Sequence, residues 1–329
     1  MRSEGLLRPV VVVVTAVGAI IGQGIVSSLR ASGRKFRVIG VDRDVNGMGR
    51  HFCDRFVAKP AYNEHSSEYL RFWSDLIEEE EVDIILPGLE PDVLFFHSNR
   101  ALFATTRAAV ALNEAVLIEL SQDKWNTGKA MLQANLPAIP SVLSHDWDHC
   151  IKTLGSPPLF IKPRVGSGSK GVAVIYDGDD FRYFTKKLGT DFMVQKFIGS
   201  EEQEYTVGVF GFGDGTSIAP IIFQRRLSAA GNTQYAKVVD QPLIAEMANK
   251  ISVTFKPLGP TNYQFRIDDG VAYLLEINPR FSSSTSLRTA FGYNEATMAV
   301  DFYLHGIKPT PPNVVKGQAW RYFADIVVT

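Results

Sequence analysis

The chain has 329 residues, of which 45% are hydrophobic and 21% charged, a make-up that suits a folded globular protein with room for two or three packed units. With 34 Lys and Arg against 35 Asp and Glu, the formal net charge of -1 gives no general attraction for a polyanion, so nucleic acid is not an expected partner and any phosphate binding must be local. Cys53 and Cys150 lie far apart without paired spacing, which argues against a disulfide framework or zinc ribbon and leads us to expect a cytoplasmic protein.

The apolar stretch from Leu6 to Val26 is interrupted by Thr15, Gly18, Gly22, Gln23 and Gly24, so no membrane-length run remains and no membrane partner is expected. Val10 to Val14 reads as a buried parallel strand, and the glycines after it open a helix through Leu29. Strands at Phe36 to Asp42, Val82 to Leu86 and Ala108 to Leu112, with a helix at Ser66 to Glu80, predict a doubly wound parallel sheet. Gly18, Gly22 and Gly24 with Asp42 invite a dinucleotide reading. Their spacing is wrong for G-x-G-x-x-G, however, and tight packing of strand on helix is the preferred explanation.

Asp123 caps a predicted helix from Lys124 to Asn135, which Pro137 and Pro140 stop. Strands at Leu159 to Lys162, Gly171 to Tyr176 and Phe192 to Phe197, with a helix at Asp179 to Leu188, form a small α+β flap. Alternating strands at Glu204 to Phe210, Ile218 to Arg226, Asn262 to Ile267 and Val271 to Ile277 predict an antiparallel sheet covered by a helix through Ala290 to Leu304. His145 and His149, four apart, match a zinc-ligand spacing, but no third ligand is visible and a surface helix is the better reading.

The loop Lys162 to Gly171 contains Gly166, Ser167, Gly168, Ser169 and Lys170, and can fold its N–H groups over a triphosphate while a strand-anchored ammonium supplies charge. Gln264 and Glu276 fall on adjacent strand-like runs joined at Asp268 to Gly270, and Asn278 shares a face with Glu276. Three oxygen donors then converge, a hard and incomplete shell of the kind Mg²⁺ completes with phosphates and water. Gln195, Lys196, Phe197 and Ile198 offer a strand edge and apolar wall for adenine, and Glu204 an acid for the ribose. Arg280, just past the strand, can meet a carboxylate or acyl phosphate. Arg225, Arg226 and Lys237 are candidates for an acceptor carboxylate.

The order Asp123-Lys124, Phe160-Ile161-Lys162-Pro163, Glu204-Tyr205-Thr206-Val207, then Gln264 with Glu276-Ile277-Asn278-Pro279-Arg280 resembles the ATP-grasp enzymes, and is most similar to one ATP-binding half of the carbamoyl-phosphate synthase large subunit. The resemblance implies an α/β chain with a Rossmann-like pre-ATP-grasp domain at 1–120 and a two-lobed α+β ATP-grasp domain at 121–329, with its lid at about 139–196 and its C-terminal lobe at about 197–329. It implies ATP as cofactor, with Lys124 and Lys162 on the phosphates, and Mg²⁺ (or Mn²⁺) held by Gln264, Glu276 and Asn278. Gln264 stands where many members carry an acid. It also implies Lys162, Glu276 and Arg280 in catalysis. The expected activity is a carboxylate–amine ligase acting on small molecules through an acyl phosphate. The alternatives are a carbamoyl-phosphate synthase-like subunit or a non-catalytic ATP-binding regulatory module. The resemblance also allows a homodimer.

Overall fold

The computed structural model describes residues 8–166, 171–322 and 324–328. A first sheet is built from β1 (Val10–Thr15), β2 (Phe36–Asp42), β3 (Arg55–Ala58), β4 (Ile84–Leu86) and β5 (Ala109–Val110), all parallel, in the order β3-β2-β1-β4-β5. Helices α1 (Ile20–Ala31), α2 (Ser67–Glu79), α3 (Glu90–Ser98), α4 (Arg100–Phe103) and α5 (Ala115–Gln122) complete this unit. The unbroken valine run of β1 is explained by burial on both faces. Val12 and Val14 pack with Ile25 and Leu29 of α1, while Val11 and Val13 pack with Tyr69, Trp73 and Phe96.

Close approach requires glycine at Gly22 after β1 and at Gly49, which packs against the same turn. A Cβ on Gly22 would lie 2.2 Å from the Ala16 carbonyl oxygen, and one on Gly49 would lie 2.5 Å from the Gly18 nitrogen. The Gly18 N–H donates to Asp42 Oδ2 at 2.8 Å, and a 3₁₀ turn at Met48–Phe52 packs over it. The Gly18 N–H is thus already partnered within the chain. Strand order reverses between β1 and β4, so the crevice beyond their carboxyl ends is the topological switch point of this sheet.

After α6 (Lys124–Gln133), a four-stranded antiparallel sheet contains β6 (Ser141–Val142), β7 (Leu159–Pro163), β8 (Ala173–Ile175) and β9 (Phe192–Lys196), in the order β6-β9-β7-β8. Helices α7 (Trp147–Leu154) and α8 (Gly178–Leu188) start at aspartate caps, Asp146 and Asp177, and bury Cys150 and Phe181 against this sheet. Because α7 begins at Trp147, His145 precedes the helix and does not share a face with His149, which removes the basis of the zinc spacing.

The third sheet contains β10 (Glu204–Phe212), β11 (Ile221–Leu227), β12 (Thr233–Val238), β13 (Leu258–Asp268), β14 (Val271–Asn278) and β15 (Gln318–Trp320), antiparallel in the order β14-β13-β10-β11-β12-β15. Helix α9 (Pro242–Phe255) covers its back through Ile244 and Ile251. The front is covered by two helices, α10 (Thr285–Ala290) and α11 (Glu295–His305), where the apolar pattern predicts one helix over 290–304. Gly292, at φ +94° and with room for no Cβ beside the Asn313 carbonyl, breaks the pattern, and Asn294 caps the second helix. Phe210, Phe223 and Tyr293 join Val12 and Ile25 in one core, so the front of this sheet and the α1 face of the first sheet pack as one body. Among the described residues no helix is long and apolar enough to cross a membrane.

Candidate functional site

The β13–β14 hairpin turns at Asp269 and Gly270, both at positive φ, and its register places Gln264 opposite Glu276 and Asn262 opposite Asn278. A register shift between Gln264 and Phe265 lets the strand bend at this level. Period-two alternation then sends the four side chains to the front of the sheet. Asn262 is already committed there: its Oδ1 accepts from Thr206 Oγ1 at 2.6 Å and from Arg288 Nη2 at 2.5 Å. Arg288 is fully buried and paired with Glu295 at 2.8 Å, and its guanidinium packs on Gly208, where a Cβ would lie 2.7 Å away. This buried pair fixes the hairpin against α10 and α11.

One step along the sheet, register produces a row of charges across three strands. Arg266 of β13 faces Glu204 of β10, and Arg225 of β11 lies on the other side. Glu204 Oε1 accepts from Arg225 Nε at 3.2 Å and Nη2 at 3.0 Å, and its Oε2 accepts from Arg266 Nε at 3.2 Å and Nη2 at 2.9 Å. Both oxygens of Glu204 are thus committed. The same Arg225 Nη2 donates to Gln264 Oε1 at 2.8 Å, which sets the orientation of that amide. Arg226 and Lys237 alternate to the opposite face, with Arg226 lying over the Tyr235 ring at 4.8 Å. Arg225 is thus already paired on the front of the sheet, whereas Arg226 and Lys237 lie on its other face.

The lysines come from two other segments. Lys162, at the end of β7, is buried, and its ammonium is pushed down to about 8, chiefly by burial and then by the neighbouring Lys124, while Glu276 opposes the shift. Lys124, the first residue of α6, donates through Nζ to the Gly166 carbonyl at 2.5 Å, and its backbone N–H donates to the Arg164 carbonyl at 3.0 Å. The loop that follows Lys162 is therefore tied to α6 at its start. Ser167, Gly168 and Ser169 lie outside the described residues; Gly171, where description resumes, has φ +72°.

Lys124, Lys162, Gly166, Gln195, Lys196, Phe197, Ile198, Glu204, Gln264 and Glu276 line a single cleft of about 330 Å³ between the two antiparallel sheets. Its apolar walls come from Ile139, Phe160, Val174 and Leu275. At one end, the Gln195 amide is tied to Ser141 Oγ at 2.7 Å, the Lys196 N–H to Pro140 O, and the Ile198 carbonyl to Arg266 Nη1 at 3.3 Å. Asn278 and Arg280 line an adjoining recess that shares Gly166 and Glu276 with the cleft. There Arg280 Nη2 donates to Asn278 Oδ1 at 3.0 Å and to Glu90 Oε2 at 3.3 Å. Glu90 opens α3 just beyond β4, so Arg280 connects the switch-point crevice to the hairpin.

Sequence reasoning missed Arg266 and Glu90. The two-residue alternation from Gln264 already put Arg266 on the same face, and Pro91 in the first turn of α3 marks Glu90 as the start of a helix. As a metal site the donors are hard oxygens, but only Glu276 brings a charge. The Gln264 and Asn278 carbonyl oxygens each already accept from an arginine, and among the described residues no group of three His, Cys, Asp or Glu could hold an ion. The set fits Mg²⁺ delivered with phosphates, which supply most of its ligands, better than a free resident ion.

Residues 189–326 match the sequence family described as ATP-grasp in the biosynthetic pathway with Ter operon. The carbamoyl phosphate synthase large chain of Archaeoglobus fulgidus is 22% identical over 183 residues, which is 50% of this chain and only 17% of that one. The fold superposes on N5-carboxyaminoimidazole synthetase from Staphylococcus aureus, complexed with ADP, with a TM-score of 0.73 at 17% identity, covering 93% of this chain and 80% of that one. The biotin carboxylase domain of 2-oxoglutarate carboxylase from Hydrogenobacter thermophilus gives a TM-score of 0.70 at 15% identity, covering 94% and 72%. The L-amino acid ligase from Bacillus licheniformis gives 0.67 at 16%, covering 91% and 74%. With a parallel-sheet unit leading into two antiparallel sheets around one cleft, the chain has the ATP-grasp fold.

Proposed function

We propose that this chain is an ATP-dependent carboxylate–amine ligase that forms an amide or peptide-like bond through an acyl phosphate. The observation that carries this reading is the meeting of Lys124, Lys162, Gln264 and Glu276, from three separate segments, on one cleft. The similarity to an N5-carboxyaminoimidazole synthetase, a biotin carboxylase domain and an L-amino acid ligase supports ATP-driven ligation as the general class.

In this reading the adenine lies against the Lys196 to Ile198 edge, between Phe160 and Leu275, and the ribose approaches Glu204. The arginines on both sides of Glu204 hold its carboxylate aimed, and the sugar hydroxyls must compete with Arg266 for it. Lys124 and Lys162 face the phosphates. Lys162 gains most from the exchange, because a triphosphate removes the charge imbalance that burial creates. Gln264, Glu276 and Asn278 would hold Mg²⁺, which when bound neutralises developing charge on the phosphates.

The substrate carboxylate attacks the γ-phosphorus, ADP leaves, and an amine then displaces phosphate from the acyl carbon. No enzyme nucleophile is needed, so positioning and charge do the work. Arg280, held between Asn278 and Glu90, stands beside Glu276 and can stabilise the acyl phosphate. The test is phosphate release from Mg-ATP over pooled amino acids and small carboxylates. Stimulation by a carboxylate–amine pair is expected, and nucleotide binding without stimulation by any pair would leave a sensor module as the better description.

A further inference from the structure

We infer that Arg321, which follows β15, holds a carboxylate of the substrate at the margin of the active site, an assignment that rests on the ligase reading above. Five guanidinium groups crowd the front of the third sheet and the loop after β14: Arg225, Arg266, Arg280, Arg288 and Arg321. The first four are each paired with an acid, Arg225 and Arg266 with Glu204, Arg280 with Glu90, and Arg288 with Glu295. Arg321 is different. It donates through Nε to the Thr233 carbonyl at 2.9 Å and through Nη2 to the Ser283 carbonyl, and among the described residues it meets no carboxylate.

Two backbone carbonyls hold a guanidinium in place without neutralising it. Arg321 is partly buried, and burial alone lowers its proton affinity with no acid to oppose the shift. A half-buried cation kept in this state is a receptor for an anion that arrives from outside, and the planar fork of arginine matches the two oxygens of a carboxylate. The position suits the substrate. Thr233, whose carbonyl anchors Arg321, bonds through Oγ1 to Ser284 Oγ at 3.0 Å and accepts from Arg225 Nη1 at 3.4 Å, and Arg225 reaches Gln264 in the ATP cleft. Ser283, the other anchor, lies three residues past Arg280 on the loop that leaves the hairpin. The three candidates that the sequence offered for this task are placed elsewhere: Arg225 is paired with Glu204, and Arg226 and Lys237 lie on the opposite face of the sheet.

The experiment compares wild type, Arg321→Met and Arg321→Lys, each first shown to be folded by circular dichroism and to bind a hydrolysis-inert Mg-ATP analogue. The probes are the 20 L-amino acids, the straight-chain mono- and dicarboxylates from formate to adipate, and inorganic phosphate. Protection of Arg321 from phenylglyoxal is read by peptide mass spectrometry, and phosphate release from Mg-ATP is read in parallel. At least one carboxylate is expected to protect Arg321. Its KM should rise about 10- to 100-fold in Arg321→Met, with the KM for ATP within about twofold and Arg321→Lys intermediate. Protection by phosphate alone, no protection by any carboxylate, or a stimulating carboxylate whose KM is the same in Arg321→Met would overturn the assignment. Protection by a carboxylate with no stimulated phosphate release in wild type would uphold the anion site and sink the ligase reading instead.

Discussion

Replacing Lys162 with methionine should make the ligand-free protein more stable and, at the same time, spoil its nucleotide site. The ammonium sits in a buried position, pushed from its ordinary range down to about 8 by burial and by Lys124. A lysine that falls from about 10.4 in the unfolded chain to about 8 in the native one costs roughly 3 kcal/mol of stability wherever both states are protonated. Between those two values the unfolded chain binds more protons than the native protein, so wild-type stability rises with pH. The advantage of Lys162→Met is therefore full below pH 8 and shrinks towards zero as the pH passes 10. Denaturant unfolding of both proteins at pH 7 and at pH 10, each against its own baseline, measures the gap. A variant less stable than wild type at pH 7, or a gap equal at both pH values, would refute the claim that the buried ammonium is held at a cost. Binding of Mg-ATP by the same variant should fall at least tenfold, because the charge that costs stability is the one the phosphates use.

Four further outcomes follow from the geometry. Glu276→Gln should abolish turnover while leaving the unfolding midpoint nearly unchanged, since Glu276 makes no ion pair among the described residues; wild-type turnover would remove it from the site. Glu204→Ala leaves Arg225 buried and Arg266 part-buried without their acid and should cost about 3 to 5 kcal/mol in denaturant unfolding, and a midpoint equal to wild type would show that the two arginines do not depend on it. Arg226→Ala should leave turnover within about twofold of wild type, because its side chain lies over Tyr235 on the far face, and a tenfold loss would show that the face has been misassigned. At pH near 8.5, binding of Mg-ATP should take up about three quarters of a proton as Lys162 recharges, seen as a buffer-dependent binding heat, and a heat independent of buffer would count against it.

Much of the architecture can be read from local pattern. The valine run of β1 and the alternation along β10, β13 and β14 state their faces directly, and Asp268 to Gly270 states the turn that registers Gln264 on Glu276. What local pattern does not carry are the short and the non-local elements. β3 and β15, four and three residues long, have too few residues for a period to emerge. The break in the last helix depends on one glycine whose need becomes visible only when Asn313 packs against it. The same holds for the chemistry. Oxygen donors two apart on a strand announce their shared face, whereas the commitment of Glu204 to two arginines comes from cross-strand pairing over 21 and 62 residues of chain. Arg225 and Arg226 look equivalent as a dipeptide, and only the pleat separates the buried one from the exposed one. Arg321 carries no motif at all, and that it meets no acid among the described residues is a property of its surroundings.

The central claim is that lysines from two segments and the oxygens of one hairpin enclose a single Mg-nucleotide. Titration calorimetry of a hydrolysis-inert ATP analogue, with and without Mg²⁺, tests it on wild type and on the Lys162→Met and Glu276→Gln variants. The account predicts one site per chain in wild type, a heat that needs Mg²⁺, loss of affinity in Lys162→Met, and loss of the magnesium dependence in Glu276→Gln. Absence of any magnesium-dependent heat in wild type, or affinities unchanged in both variants, would contradict it.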